Sequence, residues 1–145
     1  MNRKEVKGSD VIKIRGYARI EIGDEVIEEH NTVLDGCANI IIDYIFTENT
    51  RTTPGVDHVD LLDANGYLVK SIPGGWGTKT DTGSSIKRQF VAEDTSTDTY
   101  TFRQAMLKSG DDNYGLLRKV ESEDKTKPSD KKVVVTWVVE VGYES

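Results

Sequence analysis

A single cysteine in 145 residues excludes an intrachain disulfide and any cysteine-built zinc cluster, so the fold must rest on its core. Histidine is almost as scarce. Only His30 and His58 are present, which leaves few ways to build a catalytic base. No stretch approaches the ~18 consecutive apolar residues of a membrane-crossing helix. The opening MNRKEVKGSD is basic but has no apolar run of the kind a leader needs. The expectation is a chain made in the cytoplasm that stays soluble until it meets a partner, and that partner is not a membrane. An excess of positive charge is also missing. A formal net charge of -6 argues against a broad electrostatic hold on nucleic acid, which needs clustered Lys and Arg. The one candidate basic patch is Arg3, Lys4, Lys7, Lys13 and Arg15 near the start.

What is present suits one domain with a sizeable core. A chain of this length can bury ~70% of its unfolded surface without staples. The expectation is a polar, flexible arm over residues 1–9 followed by a single domain over 10–145. NTVLDGCANIIIDYIFT, from Asn31 to Thr47, is the only segment with a clear helical period. Asp35 suits an N-cap, and Leu34, Ala38, Ile41, Ile42 and Ile45 share one face. A helix over 35–47, so short and so apolar, cannot stand alone in water and must be covered.

The covering elements read as strands. From Asp10, Ile12, Ile14, Ala18, Ile20 and Ile22 alternate with Lys13, Arg15, Tyr17, Arg19 and Glu21, the period of a half-buried strand. Gly16 interrupts the apolar face and suggests a bulge or a bend. Gly23-Asp24 then turns the chain into a more polar outer strand over 25–30. Val56–Leu62 and Tyr67–Ile72 flank Asn65-Gly66, a strong hairpin signal. Residues 73–85, PGGWGTKTDTGSS, have no period and read as a mobile surface loop that carries Trp76. Strands are expected again over 86–93, 99–107 and 116–121, with a charged loop over 121–132. In the last strand, Val133, Val135, Trp137, Val139 and Val141 lie on one face, and Val134, Thr136 and Val138 on the other. A strand apolar on both faces is central and covered on both sides. The pattern predicts a mainly β protein: an antiparallel β-sandwich of about eight strands with one helix (35–47) packed on it.

No catalytic constellation emerges. Cys37 would sit in the first turn of the helix, where a thiol can be activated, but it has no histidine in a recognisable motif beside it and reads as a small buried side chain. Asp60, Asp63 and Asn65 before Gly66 resemble the start of a calcium loop. An EF-hand needs a glutamate at its twelfth position and flanking helices, and neither is present. Gly74-Gly75-Trp76-Gly77-Thr78-Lys79 lacks the following helix of a phosphate loop. Glu28-Glu29, Asp111-Asp112 and Glu121/Glu123/Asp124 read as solubility charges. No metal and no cofactor is expected. The candidate contact residues are Arg3, Lys4 and Lys7 in the arm and Trp76 in the glycine-rich loop, since tryptophan is enriched at interface hot spots.

The order NTVLDG, an apolar helix, a β-rich middle, Tyr100-Thr101-Phe102-Arg103-Gln104-Ala105-Met106-Leu107, Tyr114-Gly115-Leu116-Leu117-Arg118-Lys119 and Val133-Val134-Val135-Thr136-Trp137-Val138-Val139 resembles small structural proteins of tailed bacteriophages and related viruses. The likeness spans residues 25–141. It departs from them where VDHVDLLDANG replaces a glycine-rich stretch after the helix, and where Gln104-Ala105 replaces a glutamate-glycine. The resemblance implies a non-enzymatic virion component of the tail, capsid or connector. Its partners would be other virion proteins and copies of itself. The alternative expectation is a β-sandwich module for a carbohydrate or host-surface ligand, with Trp76, Tyr17 and Tyr67 stacking on sugar rings. A row of aromatics on one exposed face would mark such a module.

Overall fold

The computed structural model describes residues 11–30, 32–33, 55–110 and 115–144. The arm (1–9), with Arg3, Lys4 and Lys7, lies outside the described residues, as do Cys37, the expected helix over 35–47 and Asp111-Asp112. Ten strands are described. They are β1 (Val11–Ile22), β2 (Glu25–His30), β3 (Thr32–Val33), β4 (Val56–Leu62), β5 (Leu68–Trp76), β6 (Thr80–Asp81), β7 (Ser85–Asp94), β8 (Tyr100–Ser109), β9 (Gly115–Lys127) and β10 (Val133–Glu144). Among the described residues there is no helix.

All pairings are antiparallel, and the strands follow one path, β2-β1-β10-β7-β5-β4-β8-β9-β3, with β6 on the flank of β7. The hydrogen bonds therefore draw one curled sheet, a half-barrel, where the sequence pattern suggested a sandwich of two separate sheets. Two joins produce the curl. At the first, β5 serves both halves: Leu68–Pro73 pairs with β4, and Gly74–Trp76 pairs with β7. At the second, Asn31 alone separates β2, on β1, from β3, on β9. Two Cα–Cα steps span at most ~7 Å, so the two ends of the strand path meet. Side chains also reach across this seam. Thr32 faces Arg118, and an ion pair of 3.4 Å joins Glu25 to Lys125, seven residues away along each strand. We refer to β2, β1, β10 and β7 as the A half, and to β4, β8, β9 and β3 as the B half.

The alternation expected from the sequence sets the faces. Ala18, Ile20 and Ile22 of β1, Val59 and Leu61 of β4, Phe90 and Ala92 of β7, and Val133, Val135 and Trp137 of β10 all point inward and are buried. Phe102, Ala105 and Leu107 of β8 and Leu117 of β9 complete the core. β10 is central in the A half, as its two apolar faces imply, with β1 along one edge and β7 along the other.

Three expectations are corrected. Residues 73–85 are not all loop, because β5 runs to Trp76 and Thr80–Asp81 pairs with β7. Gly74 marks a close backbone approach instead. A Cβ on Gly74 would lie 2.7 Å from the Phe90 ring and closer still to the Val91 carbonyl oxygen, so only glycine lets β5 dock on β7 here. Residues 121–127 are also strand, the second half of β9. Their charges hid the period because two of the inward-facing side chains, Glu121 and Lys127, are themselves charged and buried. Gly16 is no bulge: β1 and β10 pair without a shift from Val11 to Ile22. The irregularities fall in the B half, at Leu61/Leu62, Val56/His58, Phe102/Gln104 and Leu107/Lys108.

Candidate functional site

Where β4 turns its alternate residues outward, it gathers the densest set of reactive side chains among those described. Asp60 is 5% exposed, and three groups reach its carboxylate from three strands. The Ser71 hydroxyl of β5 donates to it at 2.6 Å, Lys108 of β8 lies at 3.2 Å, and Nε2 of His58 at 3.5 Å. On its other side, His58 Nδ1 is 2.6 Å from Asp57. Serine, histidine and aspartate are thus together, but their order is wrong for nucleophilic catalysis. Ser71 donates its hydrogen bond to the carboxylate that also pairs with Lys108, not to an imidazole that could take the proton away and return it. The cluster joins β4, β5 and β8; it does not present a nucleophile.

The calcium-like residues separate. Asp60 belongs to the cluster just described. Asp63 caps the hairpin, its carboxylate accepting the amides of Asn65 and Tyr67 at 2.9 and 3.0 Å. Gly66, with φ of 87°, supplies the left-handed residue that the turn needs. Among the described residues, no group of three His, Cys, Asp or Glu side chains is arranged to hold a metal. His30 ends β2, whose pairing is with β1 and not with β4, β5 or β8.

Trp76 folds back. Its ring meets Phe90 edge-on, with centroids 5.1 Å apart, and its indole N–H donates to the Val56 carbonyl at 3.0 Å. Tyr17 stands on the outer face of the A half, hydrogen-bonded to Glu28, while Tyr67 is 71% exposed beyond the β4–β5 turn. The three aromatics therefore form no row.

Buried charge inside the sheet was not anticipated from the sequence. Lys119 and Glu121 point inward from β9 and pair with each other; Glu121 is no solubility charge. Lys127 is fully buried. Its ammonium donates to the carbonyls of Ser96, Asp98 and Pro128 at 2.6, 2.7 and 3.2 Å, and lies 5.9 Å from the centre of the Tyr100 ring. The only available signal was period two continuing through charged residues of β9.

Asp94, at the start of the same turn, is 6% exposed. Burial alone pushes its carboxyl upward. Hydrogen bonds from Ser96 and Tyr100 and the charge of Lys70 outweigh burial and hold the pKa at about 2, below its ordinary 3.8. Burial, then the bond to Asp94, raises the Tyr100 phenol in turn. A carboxyl whose pKa is lowered by folding stabilises the protein above its ordinary pKa, and that contribution is lost as pH falls toward its folded value. The shift corresponds to about 2 kcal/mol. Asp94→Asn should therefore lose about that much at neutral pH and flatten the decline in stability between pH ~4 and ~2. Urea titrations across that range would show it, and an unchanged acid limb would rule Asp94 out as its source.

Four shallow depressions, of about 320 to 420 Å³, lie along β1, β10, β7 and β6; none of the four touches Asp57, His58 or Asp60. All four are linked by shared lining residues: Arg15 and Glu140 join the first to the second, Ser84, Ser85 and Gly142 the first to the third, and Lys87 and Val138 the second to the fourth. They form one groove across the A half, bordered by Lys13, Arg15 and Lys87.

Comparison with family models, curated proteins and solved structures finds no match for this chain. The fold defines the chain as a mainly β protein built on one curled antiparallel sheet.

Proposed function

We propose that this chain is a structural component of a virus particle, without catalytic activity, in the tail or as a head or connector accessory. It is made in the host cytoplasm, joins copies of itself and other virion proteins, and works as a symmetric oligomer. One observation supports this reading most: the reactive groups gathered by the fold are occupied in joining strands. Asp60 is held by Ser71 and Lys108, Asp94 by Ser96 and Tyr100, Lys119 by Glu121, and Lys127 by three carbonyls. A framework welded in this way suits a building block whose individually weak contacts gain strength through repetition. The resemblance to phage structural proteins falls on the same framework, since its motifs supply Phe102, Ala105 and Leu107 of β8, Leu117 and Lys119 of β9, and Val133, Val135 and Trp137 of β10. A carbohydrate module would want aromatics aligned on one face, and Trp76, Tyr17 and Tyr67 are not aligned.

Light scattering over a wide range of protein concentration tests the proposal. One closed stoichiometry is expected to dominate as concentration rises. A monomer at every concentration, combined with measurable turnover of any substrate, would overturn it.

A further inference from the structure

The turn between β4 and β5 holds two neighbouring residues that can react with each other. Of the six asparagines in the sequence, only Asn65 is followed by glycine. Residues 64–68 are all exposed, so the turn opens without disturbing the core. A Cβ on Gly66 would meet nothing within 4 Å, and glycine has no side chain of its own to crowd an approaching group. The Gly66 N–H donates to the Asp63 carbonyl at 3.1 Å. That carbonyl also accepts the side-chain amide of Gln104 at 3.0 Å. Its oxygen therefore keeps a partner when the Gly66 bond breaks, which lowers the cost of freeing the Gly66 nitrogen.

We propose that Asn65-Gly66 is a site of self-modification, with water as the only co-reactant. The Gly66 nitrogen, after losing its proton to solvent, attacks the side-chain carbonyl carbon of Asn65. A new C–N bond closes a five-membered succinimide. The bond to the side-chain nitrogen breaks, and that nitrogen takes a proton from water and leaves as ammonia. Both reacting groups are already held in one short stretch of chain, so little further ordering is needed. Water then opens the ring. Attack at the side-chain carbonyl leaves an ordinary aspartate; attack at the backbone carbonyl leaves an isoaspartate, with the chain routed through the former side chain. Either product puts a second carboxylate beside Asp63. The isoaspartate also adds one backbone atom before Gly66. The bond from the Asn65 N–H to the Asp63 carboxylate lies ahead of that insertion and survives. The bonds that the Gly66 and Tyr67 amides make to Asp63 lie beyond it and are lost, so the hairpin loosens at its tip.

Incubation of the folded protein at physiological temperature, followed by peptide mapping with mass spectrometry, provides the test. The mass change of amide to acid should appear on the peptide carrying Asn65 before it appears at any other asparagine. Enzymatic methylation should detect isoaspartate there. The change should run several-fold faster at pH ~8 than at pH ~6, because the attacking nitrogen must first lose its proton. Asn65→Gln should abolish it on the same timescale, since glutamine would have to close a six-membered ring. Asn65→Asp adds the charge without lengthening the backbone. Hydrogen exchange at Gly66 and Tyr67 should therefore match the fresh protein in that variant and be faster in the aged, isoaspartate-containing fraction. Two results would overturn the proposal. One is an Asn65 that survives while another asparagine reacts. The other is an Asn65 that stays intact in the folded protein under conditions that convert it in denaturant.

Discussion

Replacing Lys127 with methionine is expected to lower the unfolding free energy by about 3 kcal/mol. Methionine keeps most of the stem volume, so the loss isolates the ammonium. That ammonium is the shared donor for the carbonyls of Ser96, Asp98 and Pro128. Without it, two acceptors in the β7–β8 turn and one just after β9 lose their partner at a place with little room for water, at about 1 kcal/mol or more each. Chemical denaturation followed by tryptophan fluorescence measures the effect. Lys132→Met is the control, because that side chain is 59% exposed and should change stability by no more than ~0.5 kcal/mol. A loss at Lys127 as small as the control's would mean that solvent replaces the ammonium.

Gly74→Ala should cost a similar amount, about 3 kcal/mol, at the upper end of what overpacking a well-filled interior costs. The added methyl would meet the Val91 carbonyl and the Phe90 ring. A backbone oxygen cannot turn aside as a side chain can, and Phe90 is fully buried. The strands must separate where Gly74, Gly75 and Trp76 pair with Ala92, Val91 and Phe90, which is the join between the two halves. Gly75→Ala, one residue along, meets nothing within 4 Å and should be close to neutral. Hydrogen exchange should report faster amide opening in β5 and β7 for the first variant and not for the second. Equal behaviour of the two would show that the join tolerates a wider spacing.

These two positions also show where sequence reading stops. The hairpins at Gly23-Asp24 and Asn65-Gly66, the alternation of β1 and the central place of β10 were all legible, because one local rule decides each. Gly74-Gly75 read as loop because glycine disfavours strands when considered alone; the need for it comes from Val91 and Phe90 on another strand. Glu121 and Lys127 read as solvated charge because their partners, Lys119 and three backbone carbonyls, are set by the tertiary fold. The cluster around Asp60 had the same fate. Its residues were visible singly, but Ser71 and Lys108 come alongside only through cross-strand register. Alternation also tells which face of a strand is buried without telling which strand lies beside it. One shared strand and one single-residue join were therefore enough to turn an expected sandwich into a curled sheet.

The place of β10 has a consequence for how the molecule is made. It is the last of the ten strands to leave the ribosome, yet it belongs between β1 and β7. Val11 waits for Glu144, across more than a hundred intervening residues. Until then, both neighbours present a bare strand edge, and the apolar side chains of β1 and β7 lack Val133, Val135 and Trp137 between them. Such long-range pairing is slow to form and open to mispairing between chains. Slow translation, low temperature and dilute nascent protein should therefore favour its soluble yield.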